Sequence, residues 1–341
     1  AMNAAADPDE YALYKAMDEL ERHDARESFL AFYQRMTGFE PPRHLKVIAK
    51  LCQAMEEDKI DRAMVLAPPR HIKTLSCSKL FPAWLMGRHP TTPIMSVVHT
   101  QAYAGKVGRA VRNFLRSPQW PFDGVRLSDD SQAREYWTTP QGGEYNGFGA
   151  TAGNQHGSPA EWLFLDDIVK GREVAMSALQ REQIWENYET DMLSRLQGRR
   201  KQLMAITRWH TDDPAGRILP ENFDGRTGWY KDRTTGELWF VLCLPAVCEH
   251  ENDPVGRKPG EWLWPEAFGE NQLGAIRKRG GYFWSALYQQ RPSPVEGLMF
   301  RAEHLLRYDP RTLAVPNLTI YIASDYAITA EAGATDPDWT V

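Results

Sequence analysis

The chain holds little cysteine: four residues in 341, Cys52, Cys77, Cys243 and Cys248. They are scattered, and Cys243 and Cys248 lack a second pair at zinc spacing. They read as reduced core thiols, not as a disulfide framework or a structural zinc site. Long apolar runs are absent, and none approaches the roughly 20 residues that a membrane span needs. The opening residues, AMNAAADPDEYALYK, have neither a positive flank nor an apolar centre, so they do not form a secretory signal. Ala1 ahead of Met2 reads as a cloning remnant. An excess of basic charge is missing too. Forty Lys and Arg face 45 Asp and Glu, for a net charge of −5. A dedicated nucleic-acid clamp is usually basic, so any such contact must lie in local patches. No histidines fall at an HxxxH metal spacing, and there are no internal repeats or low-complexity runs. With 42% hydrophobic and 25% charged residues, the composition is that of an ordinary globular protein. It suits a soluble intracellular enzyme, long enough for two domains.

The stretch with the most chemical content is AMVLAPPRHIKTLSCSKLF, residues 63–81. An apolar run stops at two prolines. A tight loop, Pro69-Arg70-His71-Ile72-Lys73-Thr74, follows, and then an apolar-periodic segment begins. Strand, loop, Lys-Thr and helix is the order of a phosphate-binding loop. Backbone N–H groups at a helix N-terminus suit an anion, the Lys ammonium reaches terminal phosphates, and the Thr hydroxyl can hold Mg²⁺. The glycines usual at the first position and before the Lys are replaced by Ala67 and Ile72. Alone, this match is no better than a loop with a chance Lys-Thr.

A second segment raises it. Glu161-Trp162-Leu163-Phe164-Leu165-Asp166-Asp167 is an apolar strand ending in two carboxylates, the form of a Walker B strand. Asp166 would serve the Mg²⁺ shell and Asp167 would polarise the attacking water. The alternative is a buried strand followed by an acidic helix cap.

The remaining pattern alternates. Helices are expected over 9–24, 25–37, 44–57, 103–115, 175–196 and 271–279. Strands are expected over 63–67, 93–99, 161–167, 202–207 and 238–244, with a hairpin and loop over 137–158. Strands separated by helices predict an α/β fold with a mainly parallel sheet and helices on both faces. Residues 1–38 read as an N-terminal helical segment, 39–250 as the main α/β domain and 251–314 as a connector. A new strand, Leu318–Asp325, opens a further domain over 315–341.

Four segments together resemble the large terminase subunit, the DNA-packaging motor of tailed bacteriophages and related elements. APPRHIKT looks like its Walker A loop, with an Arg inside. LFLDDIVK looks like its Walker B. ITRWHTDDPAGRIL looks like its coupling segment, and GGYFWSALYQQRPSPVEGLMF like its ATPase–nuclease junction. The resemblance runs from about Phe39 to Val341. It implies a P-loop NTPase fold of the ASCE type, with an N-terminal helical subdomain and the start of an RNase H-like domain.

The resemblance also implies roles. Residues 69–74 would bind ATP. Lys73 and Thr74 would hold the β/γ-phosphates and Mg²⁺, with Asp166 on the Mg²⁺ shell. Asp167 would be the catalytic carboxylate, and Arg70 a charge-stabiliser. Thr207 would sense the γ-phosphate. Arg109, Arg112 or Arg116 would act on a neighbouring subunit's nucleotide. Asp325 would be the first metal ligand of a nuclease using Mg²⁺ or Mn²⁺, and a chain stopping at Val341 would hold only part of that site. The expected partners are double-stranded DNA, a small terminase subunit and the portal of a procapsid. The chain would form a ring on the portal and be a monomer alone, in the host cytoplasm and not at a membrane.

Bland alternatives stand beside these. Lys106 with Arg109, Arg112 and Arg116, Arg195 with Arg199, Arg200 and Lys201, and residues 277–279 each fit a solvated face balanced by nearby acids. Trp209 and His210 fit a packing or capping pair. Asp325 fits a strand cap. Another ASCE-type DNA translocase or helicase, or a nucleotide-binding subunit that does not hydrolyse, remains an alternative function.

Overall fold

The computed structural model describes residues 8–129, 131, 133–151 and 159–293. They belong to a compact unit spanning Ala1–Val295. The 318–325 strand, Asp325 and the expected nuclease domain lie outside the described residues.

Eight strands form one sheet: β1 (Arg62–Leu66), β2 (Pro93–Val98), β3 (Tyr136–Thr138), β4 (Glu144–Gly149), β5 (Ala160–Asp166), β6 (Leu196–Ile206), β7 (Gly228–Lys231) and β8 (Leu238–Cys243). Their order is β3-β4-β2-β5-β6-β1-β8-β7. The six central strands are parallel, and only β3 and β7 run antiparallel to their neighbours. The fold is therefore mixed α/β with a mostly parallel sheet flanked by helices. β6 lies between β1 and β5, so the strand before the Lys-Thr loop and the Asp-Asp strand are not direct neighbours.

The sequence explains the sheet. Strand β1 has no polar alternation because both of its faces are buried, as parallel strands require. Ala63 and Val65 point to one core, Met64 and Leu66 to the other. Helices α1 (Pro8–Glu27), α2 (Phe29–Thr37) and α3 (Arg43–Glu56) cover one side. Ser28 starts α2 by accepting from Ala31 N. Phe29 and Phe32 then pack with Trp84 and Trp120 in the same core as β1. Residues Thr74–Leu80 form a wide π-type run that leads directly into α4 (Phe81–Arg88), and α5 (Gln101–Leu115) follows β2.

Two expectations need correction. The helix expected over 175–196 is broken. It is α6 (Arg172–Met176), α7 (Ala178–Asn187), a π-type turn over Tyr188–Met192 and a 3₁₀ turn over Leu193–Arg195. Ser177 interrupts it, because its hydroxyl caps α7 by accepting from Gln180 N. Strand β6 then begins at Leu196, six residues earlier than expected. The expected connector contributes Leu263, Leu273 and Ala286 to the buried set.

Candidate functional site

The C-terminal ends of parallel strands are where α/β sheets bind ligands. Here four of them meet: the loop after β1, His99 after β2, Asp166-Asp167 at β5 and Thr207 after β6. Pro68 and Pro69 end β1 because proline has no N–H for the ladder. The chain turns through left-handed backbone at Arg70 (φ 65°) and Ile72 (φ 68°) and enters the π-type run after Lys73.

Lys73 is buried, and its Nζ is held from two sides. It donates to Asp167 Oδ2 at 2.7 Å and to Thr207 Oγ1 at 2.6 Å. The Thr207 hydroxyl donates in turn to Ala67 O at 3.2 Å, and Thr207 N donates to Asp167 Oδ1 at 2.7 Å. Beside this cluster, Thr74 Oγ1 donates to Asp166 Oδ1 at 3.1 Å. Lys73, Thr74, Asp166, Asp167 and Thr207 are thus brought together from three separate sequence segments.

Asp166 is 1% exposed, and its Oδ2 has no hydrogen-bond partner. Burial first, and then the adjacent Asp167 charge, push its carboxyl well above the usual carboxylate range. An unpaired buried oxygen with a hydroxyl alongside fits a hydrated divalent cation, whose charge would return Asp166 to the ionised form.

The other expected residues divide. Arg70 is exposed and outside the Lys73 cluster. His71 turns inward: its Nδ1 donates to Pro69 O at 2.9 Å, and its ring lies 5.0 Å from Phe268 and 5.9 Å from His44. Burial pushes His71 down to about 4 and His44 to about 3. Arg109 and Arg112 lie further along α5 and Arg116 follows its last residue, roughly 9–20 Å beyond Tyr103 by helical rise. They share that surface with Arg134, and burial and then these neighbouring positive charges hold Arg112 below its usual value. Lys201 is buried and pairs with Asp58 and Asp61, and Arg199 pairs with Asp58. His210 Nδ1 accepts from Asp212 N at 3.0 Å, a local turn contact.

No family model matches the chain, and no curated protein does. Among solved structures it is similar to the large terminase of bacteriophage HK97, at 13% identity and a TM-score of 0.47, over 78% of this chain and 55% of that one. The chain therefore spans about half the length of that terminase.

Sequence reasoning missed three contacts that hold residues 208–213. Asp213 accepts from Arg208 Nε and Gly216 N, each at 2.9 Å, and from Trp209 N at 3.0 Å. It caps α8 (Pro214–Ile218), and Asp-Pro at a helix start was the available signal. Gln290 Oε1 accepts from Arg208 N at 3.2 Å, and Tyr282 Oη donates to Trp209 O at 2.6 Å. These come from 82 and 73 residues away, and no local pattern announces the contacts.

Proposed function

We propose that the chain is a Mg²⁺-dependent ATPase, the motor part of an enzyme like the large terminase subunit that moves double-stranded DNA into a procapsid. The observation that supports the ATPase is the pincer on Lys73. A lysine ammonium, two carboxylates and two hydroxyls meet where a phosphate loop opens a helix. The DNA-packaging role rests on the four terminase-like segments.

In this reading ATP lies on the 69–74 loop, and Lys73 exchanges Asp167 for the β/γ-phosphates. The exchange frees Asp167 Oδ2 to orient the attacking water. Thr74 and Asp166 would hold Mg²⁺, which neutralises phosphate charge. Thr207, tied to both Lys73 and Asp167, senses the exchange and carries it to Arg208. Arg70 is a candidate charge-stabiliser in the same chain, and Arg109, Arg112 and Arg116 are candidates toward a neighbouring subunit. Asp325 would join a two-metal nuclease only with carboxylates from other elements. The proposed partners are the small terminase subunit and the portal, in the host cytoplasm.

The test is ATP turnover with and without double-stranded DNA, for the parent chain and Lys73→Ala. Turnover stimulated by DNA and abolished in Lys73→Ala is the expected result. Turnover that survives the substitution overturns the site.

A further inference from the structure

Asp167 lies between two strand ends. The β2–β5 register sets Val98 against Asp166, so His99 falls beside Asp167 on one side. On the other side Thr207 N donates to Asp167 Oδ1 at 2.7 Å, and Thr207 Oγ1 accepts from Lys73 Nζ at 2.6 Å. When Lys73 turns to phosphate in the proposed reaction, the Thr207 amide still holds one carboxylate oxygen. It thereby fixes how the other oxygen faces the water. The place of that amide depends on what holds the chain just after it.

Two side chains from one downstream segment hold it. Gln290 Oε1 accepts from Arg208 N at 3.2 Å, and Tyr282 Oη donates to Trp209 O at 2.6 Å. Their base is itself anchored. The Gln289 side-chain amide pairs with both backbone groups of Val247, each at 3.0 Å. Tyr288 O accepts from Ala246 N at 2.7 Å, and Arg291 N donates to Ser285 O at 2.8 Å. Gln290 is fully buried, its Nε2 donates to Leu287 O, and its backbone is left-handed at φ 59°. A buried glutamine in a conformation that favours glycine persists where its surroundings over-determine it. We propose that Gln290 and Tyr282 are positioning residues that set the Asp167 carboxylate through the backbone of residues 207–209.

This inference rests on the phosphate-site reading above, and the two fail differently. Gln290→Met keeps the side-chain length and removes the acceptor. Tyr282→Phe keeps the ring and removes only the hydroxyl. The experiment measures ATP affinity by calorimetry and the hydrolysis step by single-turnover phosphate release. In both variants ATP affinity should stay within about twofold of the parent, since only the reacting geometry is disturbed. Hydrolysis should slow about 10- to 100-fold in Gln290→Met, the scale of a displaced catalytic group. In Tyr282→Phe it should slow about 3- to 10-fold, the size of one neutral hydrogen bond. In an Asp167→Asn background neither substitution should slow hydrolysis further, because the carboxylate it sets is gone. An unchanged hydrolysis step in either variant overturns the role of that residue. An equal slowing in the Asp167→Asn background overturns the inference. So does a loss of ATP affinity that matches the slowing, which marks a packing role. If Gln290→Met does not fold, Tyr282→Phe, on a partly exposed ring, decides alone. Lys73→Ala that still hydrolyses ATP defeats the phosphate site itself.

Discussion

Ile72 holds φ 68°, a region where a β-branched side chain is an outlier. Left-handed backbone costs a non-glycine residue roughly 1–2 kcal/mol, and such strain persists where the surroundings over-determine it. Here the loop is fixed on both sides, by the β1 prolines and by Ser76 N donating to Ile72 O at 3.0 Å. The side chain is partly buried against the core, so its packing offsets some of the strain. Substitution should therefore reverse a familiar order. Ile72→Ala loses packing and keeps the strain, whereas Ile72→Gly loses packing and relieves it. Denaturant unfolding should find the Gly variant more stable than the Ala variant by about 1 kcal/mol. An Ala variant as stable as the Gly variant would show that the loop relaxes.

Asp167 also sits at positive φ, 41°, and carries the second residue-scale prediction. Asp167→Asn should leave ATP binding nearly intact and lower turnover by about 10²–10⁴-fold, the usual weight of a proton-accepting group. Equal turnover in the variant and the parent, measured by phosphate release, would remove Asp167 from the chemistry.

At the scale of elements, the loop and α3 share a buried pair, His44 and His71. Both are neutral when folded, because burial depresses them to about 3 and about 4, whereas in the unfolded chain a histidine titrates near 6.5. Below about 6.5 the unfolded chain binds protons that the folded chain refuses. Stability is therefore full above that pH and falls as the pH drops toward 4, by up to about 1.4 kcal/mol per pH unit for each histidine. Urea midpoints at pH 7 and 5.5 should show the loss, and His44→Phe should remove about half of it, leaving the share of His71. A second element-scale case is the turn before α8. Arg208 and Asp213 are 5% and 2% exposed and paired at 2.9 Å. Asp213→Ala leaves a buried charge without its partner and should cost about 3–5 kcal/mol, read as a lower unfolding midpoint.

Elements also show what the sequence made legible. Strands β1, β2, β5 and β8 and the second half of β6 announce themselves because doubly buried parallel strands are largely apolar runs, whereas the first half of β6, LQGRR, is polar and escaped notice. Strand β7, GWYK, is only four residues long and exists through its pairing with β8. The break at Ser177 was hidden because the apolar spacing continues through it while the hydroxyl changes the hydrogen-bond plan. In the site, Lys73, Thr74, Asp166, Asp167 and Thr207 were readable as motif positions. The strand register that places His99 beside Asp167, and the inward turn of His71 toward Phe268, are products of topology.

For the whole molecule, the pincer holds Lys73 as its one cation among the described residues, and Arg70 stands outside it. Phosphoryl transfer gains most from added positive charge on the transferring group. The isolated chain should accordingly be a monomer with slow ATP turnover that rises on assembly with a portal. Light scattering and turnover on the same sample check both. A stable ring without any partner, or full turnover in the monomer, would count against a shared site.

The position of β6 between β1 and β5 sets a span. Two strand spacings separate the outer pair, roughly 10 Å, and Lys73 closes that gap with a flexible four-carbon stem and a compact ammonium. A guanidinium is planar and offers a fork instead of a point, so it cannot sit between a hydroxyl at 2.6 Å and a carboxylate at 2.7 Å in the same way. Lys73→Arg would keep the charge and lose the bridge. The middle strand thus makes side-chain length, and not charge alone, the quantity that this position selects.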